Sequence, residues 1–383
     1  MDRPVRVASV GLVLALAVVT LFALARGTGL SGFVHAAPPR TDSARTPSSL
    51  EVLRLGHGFD GQFYYRLAIS PFSKARYESG VSFDIPSLRQ QRIGYPLLAR
   101  AVSFGNRNAV PFALLAVNVV GMFALGWLGA KLALSSGRHA AWGLLLPLYP
   151  GFVYSLGFDL GEIIAATFMV SALLASRERR TFVAILAASA AVLTRETTLV
   201  VPMGFALSGI WSWIRRSDVE DRNAILATGL VPMAVFAVWE IWLRVSWGSF
   251  PLTDSGDKNV GLPFAGLVDQ VNRFLPPSSG SAAFRDLLLA FLVLVLVAGG
   301  FAMVSSTARR HEKVALILAV ALMPLFAGVI WTGATSFMRA STEAFVLAIV
   351  VLLGARTPAI RVVAVATVAA LGVTVASEVV KAG

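Results

Sequence analysis

A succession of apolar runs, separated by short arginine-bearing breaks, constrains this chain more than anything else in it. The runs fall at about 7–25, 110–133, 140–156, 159–175, 223–243, 285–304, 314–332, 340–354 and 360–379, with two shorter ones between Thr181 and Ile214. About 20 apolar residues cross the hydrocarbon of a bilayer as a helix, because in lipid each backbone amide must bond within its own segment. Charged residues are only 14% of the 383, and hydrophobic ones 56%; soluble domains carry about 25% charged residues. The expectation is an all-α, polytopic integral membrane protein with about 11 transmembrane helices in a single domain over residues 1–383.

The net charge of +12 invites a nucleic-acid reading, which its placement argues against. The basic residues gather in the breaks: Lys131 and Arg138, Arg177-Glu-Arg-Arg180, Arg215-Arg216, Arg309-Arg310, Arg356 and Arg361. That is the positive-inside pattern of cytoplasmic loops, so membrane lipids, and no nucleic acid, are the expected partners. It puts the N-terminus in the cytoplasm, the C-terminus outside, and residues 26–108 and 248–283 in extracytoplasmic loops. Arg3 and Arg6 before the first run also fit a signal peptide, with Val34-His35-Ala36 as a cleavage site. The run is long for that role and the site lies far beyond its end, which favours a retained first helix. There is no cysteine and there are only four histidines, so disulfides, thiolate sites and a zinc site of the usual spacing are not expected.

Within 26–108, the Pro/Ser/Thr/Arg-rich stretch Ala36 to Ser49 reads as a mobile spacer. Ile93 to Phe104 is apolar but too short to span, hence interfacial or re-entrant. Between them lies Gly-His-Gly-Phe-Asp-Gly-Gln-Phe-Tyr-Tyr-Arg, residues 56–66. Gly58 and Gly61 beside Asp60 read either as a simple turn or as small residues admitting a partner to its carboxylate. Phe59, Phe63, Tyr64 and Tyr65 form an aromatic platform for an interface or a sugar face. Arg89, Gln91 and Arg92 offer donors to a phosphate, or charges to lipid headgroups.

The remaining ionisable groups outside the cytoplasmic breaks collect at one level. Asp84 shares the first outer loop with Asp60, and His57 reads as a loop residue. Asp159 and Glu162, three apart, enter the fourth run and are either caps or binding groups. Arg195 and Glu196 sit at the turn of the short helix pair, with apolar flanks that favour function. Glu240 with Arg244 reads as an intrahelical pair; Arg339 with Glu343 reads either that way or as functional.

With these residues in view, the chain resembles the glycosyltransferase C (GT-C) superfamily. Three features carry the resemblance: Phe59-Asp60-Gly61-Gln62-Phe63-Tyr64 early in the first outer loop; Leu148-Tyr-Pro-Gly-Phe-Val-Tyr-Ser-Leu-Gly-Phe-Asp-Leu-Gly-Glu162 entering the fourth helix; and Leu193-Thr-Arg-Glu-Thr197. The last is similar to the Thr-Arg segment of GPI-type mannosyltransferases and bacterial membrane mannosyl- and arabinosyltransferases. The resemblance runs in order over about residues 5–215 and more loosely beyond. It implies an inverting hexosyl- or pentosyltransferase of the cell membrane, acting on envelope glycans. Such an enzyme moves a sugar from a polyprenyl-phosphate donor to a lipid or polysaccharide acceptor. It also implies Asp60 as the catalytic base. Gln62, Tyr64, Tyr65, Gln91, Arg92, Asp159, Glu162, Arg195, Glu196 and Arg339 are then the expected substrate-binding residues, with Arg92, Arg195 and Arg339 facing the leaving phosphate. Asp159 and Glu162 would hold the acceptor or a divalent cation (Mg or Mn), although the first loop lacks the Asp-x-Asp of many members. The competing readings are a transporter or lipid flippase, which would call for an internal repeat and a midplane site, and a GT-C-like subunit without activity.

Overall fold

The computed structural model describes residues 3–54, 56–215, 221–256, 259–274 and 280–382. Residues 216–220, 257–258 and 275–279 lie outside them, so Arg216 and parts of the expected 248–283 loop are not among the described residues. The fold is all-α; its one sheet among the described residues is a two-residue hairpin, Tyr77–Glu78 against Val81–Ser82.

Helix α1 (Arg3–Arg26) leads into the first loop region, which carries α2 (Gly61–Ile69), α3 (Pro86–Gln91) and α4 (Gly94–Val102). Then come α5 (Val110–Ser135), α6 (Gly151–Gly157), α7 (Glu162–Arg177), α8 (Thr181–Thr194), α9 (Val200–Ile214) and α10 (Arg222–Trp247). The remainder is α11 (Pro251–Ser255), α12 (Ala265–Phe274), α13 (Ser281–Ser305), α14 (Arg310–Leu322), α15 (Gly328–Thr332), α16 (Ala334–Ala340), α17 (Thr342–Gly354) and α18 (Ala359–Ala382).

Every apolar run read from the sequence is helical, but their lengths differ. Six described helices are long and apolar enough to cross a membrane, and a seventh span is reached if α16 and α17, bent by 53°, count as one. The run at 140–156 is divided into a 3-10 turn (Ala140–Leu145) and α6 by Pro147 and Pro150. The run at 314–332 breaks at Pro324 into α14, a 3-10 turn and α15. Proline lacks the amide that the helix ladder needs, so both segments break there; the break at Pro147 and Pro150 agrees with the sequence, whereas 314–332 reads from the sequence as one span.

Helix α17 is the centre of the bundle: all its residues, Thr342 to Gly354, are buried. A helix apolar on every side is stable only when other helices cover it all round, and α13, α14, α5, α7 and α18 pack on α17. Elsewhere, close approach rests on glycine. A side chain at Gly143 would run into the Gly129 and Ala130 backbone of α5, and one at Gly229 into Ala206 of α9. Between membrane helices, small residues permit the contact on which association depends. Gly143→Val is expected to lower stability by about 1–3 kcal/mol through overpacking, read as a lower melting midpoint in detergent; an unchanged midpoint would mean the contact can relax.

The segment Ala36 to Ser49 is not a free spacer. Asp42 N donates to Gly80 O at 2.8 Å, Ser82 N to Arg40 O at 2.8 Å, and Leu53 N to Ala36 O at 2.8 Å. Two of these bonds tie it to the hairpin and the third ties Ala36 to Leu53, which outweighs its disorder-prone composition. Ile93 to Phe104 forms α4, packed on α2 and α5.

Candidate active site

The joints of the bundle meet at one level. Asp60 precedes α2, Arg89 lies in α3, and Arg92 lies between α3 and α4. Glu162 opens α7, Arg195 and Glu196 occupy the break between α8 and α9, and Arg339 and Glu343 flank the break between α16 and α17. A helix joint leaves backbone groups for side chains and polar neighbours to satisfy, so charged residues cost least there.

Asp60 sits at the N-cap of α2 but does not cap it. Its carboxylate instead spans two guanidiniums: Arg89 Nη1 donates to Oδ1 at 2.7 Å and Arg339 Nη2 to Oδ2 at 3.0 Å. The chain reaches this position through local constraints. Gly58 has φ +65°, a conformation that favours glycine, and a side chain on Gly61 would strike the carbonyls of Val34 and Phe158. Phe59 stacks on Phe158 at 4.5 Å between ring centres. Gly58 therefore serves the turn, while Gly61 lets two backbone segments touch.

From Asp60 the ion pairs continue inward. Arg339 Nε donates to Glu162 Oε1 at 2.7 Å, and Arg195 Nη1 is 3.0 Å from the same oxygen. Ser155 donates to Glu162 Oε2 at 2.9 Å. Arg195 Nε is 3.2 Å from Glu343 Oε1, and Thr197 bridges the two by accepting from Arg195 and donating to Glu343. Two parallel pairs flank this chain: Arg92 on Glu196 at 2.9 and 2.5 Å, and Arg89 on Asp84 at 2.7 and 2.8 Å. Five carboxylates thus face four guanidiniums. Paired and hydrogen-bonded, the buried charges are tolerated; singly they would not be.

Asp60 is also a partition. On one side is a cavity of about 350 Å³ lined by Tyr64, Arg92 and Arg195; on the other is one of about 360 Å³ lined by Arg40, His57, Phe59 and Gln62. Asp60, Phe63, Asp84, Arg89 and Arg339 face both. Burial raises the pKa of Asp60, but the charges of Arg89 and Arg339 outweigh it and hold the carboxyl well below the usual range. Asp84 is lowered too, Arg89 outweighing its burial.

The expected site residues divide on this map. Asp60, Tyr64, Arg92, Arg195 and Arg339 line the first cavity and Gln62 the second. Glu162 and Glu196 lie behind the arginines as counter-ions. Gln62 accepts from Thr41 Oγ1 at 2.8 Å. Tyr65 is buried in the packing of the first loop region and lines neither cavity. Gln91 donates to Glu240 at 2.9 Å, and that replaces the Glu240–Arg244 pair, which is not formed among the described residues. Arg339 and Glu343 do not pair with each other; each reaches a different helix. Asp159 is fully buried at φ +49°, its carboxylate without a hydrogen-bond partner, and lines neither cavity.

As arranged, Asp159 and Glu162 do not suit a divalent cation. Glu162 is already claimed by two guanidiniums and a serine hydroxyl, and a cation there would stand against like charge. Among the described residues no group of three or more His, Asp or Glu side chains is placed to hold a metal ion.

Sequence reasoning weighed Arg89, Asp84 and Glu343 but did not place them in the site, and it missed Arg40, Asn259 and Ser155. Arg89 had a signal, its place with Gln91 and Arg92 among the donors read as facing a phosphate. Asn259 reaches the first cavity from a distant loop, and spacing along the chain carries no trace of that.

No family model and no curated protein matches this sequence. Among solved structures the chain is similar to the Archaeoglobus fulgidus oligosaccharyltransferase in the apo form, at 16% identity and a TM-score of 0.47. The match covers 96% of this chain and 56% of that one.

Proposed function

We propose that this chain is a GT-C-like inverting glycosyltransferase, moving a sugar from a polyprenyl-phosphate donor to a lipid or polysaccharide acceptor on the extracytoplasmic face. The observation that carries the reading is Asp60 as a shared wall of two cavities, with Arg92 and Arg195 facing only the first and Arg89 and Arg339 facing both. The cavity holding Arg92 and Arg195 suits the donor phosphate, and the one beside Phe59 and His57 suits a sugar face or hydroxyl acceptor. In the transfer, the acceptor oxygen bonds the anomeric carbon while the bond from that carbon to the phosphate oxygen breaks. The acceptor proton passes to Asp60, and the negative charge released on the phosphate is met by Arg92, Arg195 and Arg339. A phosphate leaves as a stable anion, so it needs these charges more than a protonating acid.

The bonds around Asp60 give this reading a specific demand. A carboxylate gripped by two arginines is a poor base. Donor binding must draw Arg89 and Arg339 toward the phosphate and restore basicity as it does so. The acid limb of kcat/KM reports free enzyme, and that of kcat the complex. The limb for kcat is therefore expected at higher pH than that for kcat/KM; coincident limbs would mean the arginines stay on Asp60. The stability side has the same sign. A depressed Asp60 pKa contributes stability that is present above the unfolded value of about 3.9 and lost as pH falls through the folded one.

Arg92→Lys keeps a charge but loses the two-pronged geometry. It is expected to raise the donor KM about tenfold or more, since hydrogen bonds between charged groups contribute about 1.5–3 kcal/mol. An unchanged KM would make Arg92 a counter-ion for Glu196 alone. The test of the whole reading is to supply purified protein with a panel of radiolabelled polyprenyl-phosphate sugars and look for labelled lipid or polysaccharide. Label that never leaves any donor would overturn it.

A further inference from the structure

An arginine-lined cavity outside the Asp60 site lies at the other end of the same helices. It has a volume of about 460 Å³ and is lined by Arg179, Arg309, Arg310, His311, Asp221 and Thr228, among others. Helix α7 connects the two regions: Glu162 at its start belongs to the Asp60 cluster, and Ser176 near its end lines this cavity. At 1.5 Å per residue that separates them by about 20 Å.

Three features of this cavity suit an anion. First, its lining carries three arginines against one aspartate, and Arg179 lies 3.7 Å from that Asp221. Secondly, α8 and α10 begin here, at Thr181 and Arg222, presenting the positive ends of their dipoles; the start of α14 is capped by Glu312. Thirdly, His311 is only 3% exposed, lines the cavity, and has an Nε2 without a hydrogen-bond partner. Its ring is fixed by stacking on Phe205, 4.0 Å between centres. A buried ring nitrogen left unbonded costs free energy unless a ligand group meets it.

One wall is held by hydrogen bonds. Arg309 donates to the carbonyls of Ser176 and Arg177 at 3.0 and 2.9 Å, and Arg177 grips buried Glu312 with two bonds of 2.6 and 2.7 Å. Beside the cavity the surface turns apolar. Helix α10 is only 17% buried over its most apolar stretch, and Trp211 is 46% exposed beneath the guanidiniums of Arg215 and Arg310. Tryptophan under arginine at the end of a lipid-facing helix marks the headgroup level.

We propose that this cavity binds a phosphate-bearing ligand, the headgroup of an anionic lipid whose acyl chains lie along α10, remote from Asp60 and independent of the chemistry there. The test uses full-length protein in micelles and native mass spectrometry, with phosphatidic acid and phosphatidylcholine as probes and inorganic phosphate as the soluble arm. Retention of phosphatidic acid over phosphatidylcholine is expected. It should fall about fivefold for each of Arg179→Gln and Arg310→Gln, the effect of about 1 kcal/mol per basic residue. His311→Phe keeps the stacking and is expected to weaken retention with an unchanged melting midpoint, which guards against misfolding as the cause. Inorganic phosphate competing as well as the lipid would support the phosphate site with a soluble ligand. Equal retention of the two lipids, or no change in all three variants, would overturn the proposal.

Discussion

Asp60→Asn is expected to leave the protein folded and inserted in the membrane while sugar transfer falls by roughly 10²–10⁴, the usual contribution of a positioned base. The variant is informative because its neighbours are insured. Removing the charge at position 60 takes a carboxylate from Arg89 and Arg339, but Arg89 keeps its two bonds to Asp84 and Arg339 keeps Glu162. The asparagine oxygen can accept from one of them. Melting midpoint and detergent elution profile should therefore match the parent, so that a loss of turnover reports chemistry. Full activity in this variant would remove Asp60 from the mechanism and with it the two-cavity reading.

The opposite pattern is expected one step further in. Glu162 is 3% exposed at its side chain and is the shared partner of Arg195 and Arg339. Glu162→Gln takes from both guanidiniums their most buried carboxylate, leaving Arg195 with Glu343 and Arg339 with the more exposed Asp60; the cost approaches the roughly 3–5 kcal/mol of an uncompensated buried charge without reaching it. The expected result is a markedly lower melting midpoint, with activity falling because Arg339 loses the bond that aims it. The double variant Glu162→Gln with Arg339→Gln should recover part of the lost stability. If the single change left the midpoint unaltered, the buried charges would have to be relaxing by a route not visible in their present bonds.

The sequence made the helical architecture and the level of the site legible because both depend on patterns along the chain. Apolar runs of membrane length, prolines at 147 and 150, and charges at the ends of runs are all read from one residue to the next. Pairing across the bundle was not legible. Glu240 looked committed to Arg244 by the spacing rule, yet it accepts from Gln91 of α3. Arg339 and Glu343 share that spacing and turn to different helices because the bend between α16 and α17 separates them. Local spacing sets which contacts are cheap on one helix; burial decides which are made. The stretch from Ala36 to Ser49 failed for a related reason, since its disorder-prone composition is anchored by backbone hydrogen bonds from the hairpin.

The arginines and acids stand at joints rather than along the rods, and this bears on how such a molecule can change over generations. Because α17 and its neighbours fill the interior with apolar side chains alone along most of their length, they are free of reactive duties. Replacements at a joint can alter which sugar or alcohol is accepted while the timber of the building stays as it was.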